Sequence, residues 1–149
     1  MKPIKIIANI ICLAVIISMG LILLLNWNSI PDKLPTHFTS DGTADGYGGK
    51  AALIIEPIIA AALFALITIV QNFPRLWNFP VEITRENMKR EYLIAHIMLD
   101  VVKVMMTVLF LMSMLASLIN GFPAWPIIVV IAVMFASIFG GIVMMIRLR

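Results

Sequence analysis

An all-α integral membrane protein with four transmembrane helices is the fold class this sequence predicts. Three observations predict it. Of 149 residues, 62% are hydrophobic and only 13% charged, and the mean hydropathy is +1.04. Four stretches of 20 residues or more are almost wholly apolar. Proline and glycine sit at the breaks between them, and the basic residues crowd onto one set of connections. A soluble domain carries about 25% charged residues, so too little polar surface is present here to wrap a water-soluble core. An ordinary cytosolic enzyme and a disordered chain are both excluded.

A bilayer core about 30 Å thick takes roughly 20 apolar residues of helix to cross. The first run, Ile6 to Leu25, meets that length without a charge and ends at Asn26 and Trp27. Lys2 and Lys5 give it a basic start like that of a signal peptide. A signal's apolar region is only about 7–15 residues and ends at small residues, so this run is expected to stay as a helix over about 6–25. The second helix is expected at about 51–70, interrupted only by Glu56 and Pro57. The third run, Leu93 to Ile119, holds His96, Asp100 and Lys103. Thr84 is a candidate N-cap, and Glu86 with Arg90 makes an i, i+4 pair, so this helix is read as about 85–119. The fourth, about 127–146, is uncharged. Together they form one membrane domain, 1–149.

The basic residues orient it. Lys2, Lys5, Arg75, Arg85, Lys89, Arg90, Arg147 and Arg149 fall on one side, and only Lys33 and Lys50 on the other. The positive-inside rule then puts both termini in the cytoplasm. The segment 26–50 becomes a long structured extracellular loop. The charges are too scattered for a nucleic-acid surface, so the net charge of +3 reads as orientation. A single cysteine, Cys12, leaves the redox compartment unread.

Helix packing is read from small residues. Ala132, Ala136 and Gly140 recur every four residues on the fourth helix, and the second holds Ala60, Ala61, Ala62 and Ala65. Both are expected packing faces.

The loop is the informative segment, because connections longer than about 12–15 residues are usually functional or disordered. Pro31 and Pro35 stiffen its first half. Gly42, Gly46, Gly48 and Gly49 in its second half are expected to supply positive φ and free N–H groups beside Lys50, a setting for an anion or a peptide carboxylate. The plainer alternative is a hairpin lying on the bundle, with His37 and Asp45 bonded to its own backbone. A P-loop is excluded, since Ala44 and Ala51 stand where a glycine and a hydroxyl are needed. An EF-hand starting at Asp41 has Ala52 at its twelfth position. His37, Asp41 and Asp45 offer too few nitrogen or sulfur ligands for zinc. No metal and no cofactor are expected.

Within the membrane runs, His96, Asp100, Lys103 and Thr107 share one helical face. Intramembrane ionisable residues are candidates for relays or substrate contacts. Counting back about 20 residues from Ile119, however, places the start of the hydrocarbon near Asp100. His96 would then be interfacial, Lys103 would snorkel, and Asp100–Lys103 would be an i, i+3 pair. Glu56, about one and a half turns below the outer surface, is placed to cap a pocket beneath the loop. No catalytic set is visible: His37 and His96 lie on opposite sides, and paired cysteines are absent. The protein is read as a non-enzyme.

The stretch from Leu34-Pro-Thr-His37 through Gly42 and Asp45 to Lys50 resembles the signature of the domain of unknown function 1648 family. These are small bacterial membrane proteins related to SdpI-type toxin immunity proteins. The segment Asn78 to Asn87 resembles the family too. The resemblance implies a bacterial plasma-membrane protein that protects its producer from a secreted peptide toxin and signals through a cytoplasmic regulator. SdpI-type proteins continue with further membrane helices beyond this region. The positions matching the motif are Pro35, His37, Gly42, Asp45 and Lys50, and Glu56 joins them on position alone.

The leading expectation is an immunity or sensing protein whose outer loop recognises a peptide or envelope ligand. A structural or accessory subunit of a membrane complex such as an exporter is the alternative, docking through Ala132, Ala136 and Gly140. A small transporter using Glu56 and the His96–Asp100–Lys103 face is the third. Expected partners are the lipid bilayer, a secreted peptide toxin or another membrane protein, and a cytoplasmic regulator, with no nucleic acid. The connector Gln71 to Tyr92, basic and mixed in sign, fits a solvated, lipid-facing segment at least as well as a regulator-docking one.

Overall fold

Apolar runs of this length have one way to satisfy their backbone without water, and the chain takes it. A computed structural model describes residues 2–39 and 41–148; Arg149, counted above among the basic residues, lies outside that range. In chain order it contains α1 (Lys2–Asn26), β1 (Lys33–Phe38), β2 (Ala44–Gly49), α2 (Ala52–Val70), a short 3₁₀ turn at Pro74–Leu76, α3 (Met88–Leu118) and α4 (Trp125–Arg147). All four helices are long and apolar enough to cross a membrane. Most of their large side chains point outward: Ile10, Leu24, Ile58 and Phe139 are each 60% or more exposed. Apolar surface on that scale needs lipid around it.

Helix α1 begins at Lys2, four residues ahead of the apolar run, and two other helix starts differ from expectation for local causes. Helix α4 begins at Trp125 because Pro126, with its fixed φ and missing N–H, suits the first turn. Helix α3 begins at Met88, three residues late. Thr84 accepts from the Asn87 N–H at 3.3 Å while Asn87 Oδ1 accepts from the Thr84 N–H at 2.8 Å. That reciprocal pair closes a turn of its own ahead of the helix. Arg90 bonds Glu91 at 3.0 Å rather than Glu86.

Helix α3 is the centre of the bundle, packed against α1, α2 and α4, and β1 also rests on it. The two bundle ends differ. Lys5 Nζ donates to Asn72 Oδ1 at 2.6 Å, so the start of α1 meets the end of α2. At that end Trp77, Phe79, Tyr92 and His96 stack together, with Trp77 and Phe79 packed on Ile94, Ala95 and Met145. The connector 71–87 therefore folds back on the bundle instead of lying loose. At the other end Met19, Leu23, Ile30, Leu34, Leu53 and Met114 form the second core, with the hairpin on top.

The small-residue stripe of α4 does not face the bundle. Ala132, Ala136 and Gly140 are all exposed, and a Cβ built on Gly140 meets nothing within 4 Å. Gly141, one position on, is the contact: a Cβ there would lie 3.0 Å from the Met98 sulfur. On α2, Ala60 is fully buried, whereas Ala62 and Ala65 are exposed. A four-residue repeat marks a face but not which neighbour it meets.

Candidate functional site

The segment expected as a loop is an antiparallel hairpin, closed at both ends. At its base the Lys50 N–H donates to the Asp32 carbonyl at 3.0 Å, and Lys50 Nζ pairs with the Asp32 carboxylate at 2.8 Å. The same ammonium lies over the Trp27 ring, 5.3 Å from its centre. Lys50 holds the Asp32 carboxyl below the usual carboxylate range. At the tip, Thr39 and Thr43 pair through their backbones, and Gly42 turns the chain at φ +85°. Asp41 accepts from the Thr39 hydroxyl and, at 3.1 Å, from the Thr43 N–H. These bonds lower the Asp41 pKa.

The glycines are used differently from the expectation. Only Gly42 has positive φ; Gly46, Gly48 and Gly49 lie in β2. Gly46 and Gly48 allow close cross-strand approach. A Cβ at Gly46 would stand 2.8 Å from the His37 Cβ, and one at Gly48 would stand 2.8 Å from Thr36 Cγ2. The anion-binding turn beside Lys50 does not form, because its glycines are in a ladder and its ammonium is already paired with Asp32.

Two register shifts flank His37, one after Pro35 and one before Phe38. Shifts of this kind re-aim side chains. His37 Nδ1 meets Asp45 Oδ1 at 2.5 Å across the strands, with the side chains 72% and 47% exposed. So His37 and Asp45 bond each other, not their own backbone. Leu34, 5% exposed, anchors the hairpin in the core.

Beneath the hairpin lies a cavity of about 480 Å³, within the range of about 300–1,000 Å³ usual for ligand sites. Thr36 to Phe38 roof it; α2 and α3 wall it with Ile55, Ile59 and Phe110. Glu56 reaches into this wall, half-buried, and accepts from Ser113 Oγ at 2.8 Å. The position expected for Glu56, under the loop, is where it stands.

The membrane face separates into two environments. His96 lies edge-on against Trp77, with ring centres 4.7 Å apart, and takes no part in the rest. Lys103 does not snorkel: it is 0% exposed. Its ammonium donates to Asn9 Oδ1 at 2.6 Å and Gln71 Oε1 at 2.9 Å, and lies 3.1 Å from Asp100 Oδ1. Gln71 Nε2 completes the set by donating to Asp100 at 2.8 Å. Thr107, also buried, bonds the Lys103 carbonyl. Asn9 and Gln71 went unnoticed in the sequence. The available signal was an amide within an otherwise apolar first run, and another at the end of the second. Glu91, buried and paired with Arg90, was missed as well.

The hairpin and the α2 wall of the cavity fall within the part of the chain that a family model matches, while the α3 and α4 residues of the cavity lie outside it. Residues 13–61 match the model of a domain of unknown function, DUF1648. The matched region takes in most of α1, both strands and Glu56. An uncharacterized protein of Archaeoglobus fulgidus is 32% identical over 65 residues, covering 38% of this chain and 36% of that protein. The chain thus spans about a third of the relative's length. No solved structure matches.

Proposed function

We propose that this is a multi-pass cell-membrane protein, both termini cytoplasmic, whose extracellular hairpin recognises a peptide or envelope ligand in an immunity or sensing role. The observation that carries the reading is the exposed His37–Asp45 pair, held by a pinned hairpin directly over a ligand-sized cavity. A bare hairpin needs no such cavity, and a structural loop needs no exposed pair. Orientation rests on the basic residues: eight group around the chain ends and the 71–90 connector, and two at the hairpin. The toxin-directed version of the role, with capture of a cytoplasmic regulator as its signalling arm, rests on the resemblance of the Leu34–Lys50 stretch to the SdpI-type signature in sequence alone.

The test is survival of cells challenged with peptides secreted by the same strain. Cells carrying the protein are expected to survive, and cells carrying His37→Ala with Asp45→Ala to lose that protection at equal membrane abundance. Equal survival of the two would remove the hairpin from the function.

One observation favours the accessory-subunit reading: the Ala132, Ala136 and Gly140 stripe faces outward, where another helix could approach closely. On that reading, leucine at the three positions shifts the protein from a larger species to a smaller one on a native gel. Unchanged migration removes it.

A further inference from the structure

The cavity under the hairpin holds a carboxyl group, Glu56, that no cationic side chain pairs with among the described residues. Glu56 receives one neutral donor, the Ser113 hydroxyl. Among the described residues no Lys, Arg or His pairs with it, and no Lys or Arg lines the cavity. The nearby nitrogen groups are committed elsewhere: the Lys50 ammonium to Asp32, and the His37 ring to Asp45. A half-buried carboxylate with a single neutral partner is costly, since burial removes hydration that one hydroxyl does not replace. Beside Glu56 the lining has the polar side chains of Thr36, His37, Ser113 and Ser117, and is otherwise apolar and aromatic, with Ile55, Ile59, Phe38 and Phe110 around it. Helices α2 and α4 both pack on α3, and the cavity is lined from all three.

Resting on the recognition reading above, we infer that this cavity takes the ammonium end of an apolar peptide: the charge on Glu56, the chain along the aliphatic and aromatic wall. Opposite charge and apolar body are both required, because either alone leaves half of the lining unmatched. An anionic or purely aliphatic ligand would leave Glu56 uncompensated.

The experiment uses the full chain in phosphatidylcholine nanodiscs, titrated calorimetrically with leucyl-isoleucyl-leucyl-phenylalaninamide bearing a free amino terminus, and with its N-acetylated form. Saturable binding is expected for the free amine. Binding about 10-fold or more weaker is expected for the acetylated peptide, and for the free amine on Glu56→Gln, given the usual strength of a charge-assisted bond. Glu56→Gln keeps an acceptor for Ser113, and Ser113→Ala keeps the carboxylate, so Ser113→Ala should bind within a few-fold of the parent. Equal affinity for the two peptides, or for parent and Glu56→Gln, overturns the assignment. So does loss of peptide binding when phosphatidylethanolamine replaces half the lipid, because the lipid ammonium is then the occupant. Failure here with protection still dependent on His37 and Asp45 rejects the ligand class alone. Binding intact with no protection rejects the immunity role alone.

Discussion

Replacing Lys103 by methionine is expected to cost about 3–5 kcal/mol of bundle stability. All three ammonium protons have partners, and those partners come from α1, the residue that caps the end of α2, and α3. A hydrogen bond between membrane helices contributes only about 0.6–2 kcal/mol, so lost bonds alone do not reach the figure. The excess comes from Asp100, 5% exposed, which keeps the Gln71 amide but loses its counter-ion. Asp100→Leu is expected to be damaging for the mirror reason, leaving a cation 0% exposed.

The double variant separates these costs. Removing both charges leaves no ion in this network, so Asp100→Leu with Lys103→Met should be clearly more stable than either single variant, by about 1–3 kcal/mol. Unfolding of the protein by sodium dodecyl sulfate from a mild detergent, followed by tryptophan fluorescence, measures all four proteins. If the two single losses simply add in the double, the pair is not a coupled unit and the ion-pair account is wrong. The network also bears on the transporter reading. Lys103 is held by α1, by its own helix and by Gln71 at the cap of α2, so releasing it requires parting α3 from α1 and from the end of α2.

The helices were legible because each apolar run is long, bounded by proline or glycine, and close to the length a bilayer demands. The i, i+3 pairing of Asp100 and Lys103 was legible for the same reason: helical spacing alone brings them together. Their depth was not. Counting back from Ile119 assumed that Lys103 had no partner inside the bundle. Asn9 and Gln71, 94 and 32 residues away in sequence, supply one, and no periodicity within α3 reports on them. The α4 stripe failed similarly, since spacing names a face and only packing names its neighbour. In the hairpin, the glycines were read as turn formers because positive φ is their commonest use. Two of them answer instead to the bulk of Thr36 and His37 across the ladder, a pairing that depends on register. Glu56 lines the cavity under the hairpin, a position that follows from its place in the first turns of α2 alone.

Leu34→Ala is expected to free the hairpin while leaving the helices assembled. A two-stranded hairpin is marginal by itself in water, so this one depends on docking. Leu34 is its deepest contact, packed among Met19, Leu23, Leu53 and Met114, and truncating a buried leucine usually costs about 2–5 kcal/mol. That loss falls locally, because the Asp100–Lys103 network and the Trp77 cluster lie elsewhere in the bundle and touch none of these residues. Amide exchange over 33–49 should therefore speed up about 30-fold or more, the equivalent of about 2 kcal/mol, while exchange in α3 stays near the parent rate. Unchanged exchange in β1 and β2 would show that Lys50 and Asp32 suffice to hold the hairpin. Thr36 to Phe38 roof the cavity, so the freed hairpin also opens it, and binding of the free-amine peptide should fall together with protection. His37→Ala with Asp45→Ala, by contrast, removes the exposed pair without disturbing Leu34. Loss of protection with exchange unchanged in that variant distinguishes recognition by the surface from support by the roof.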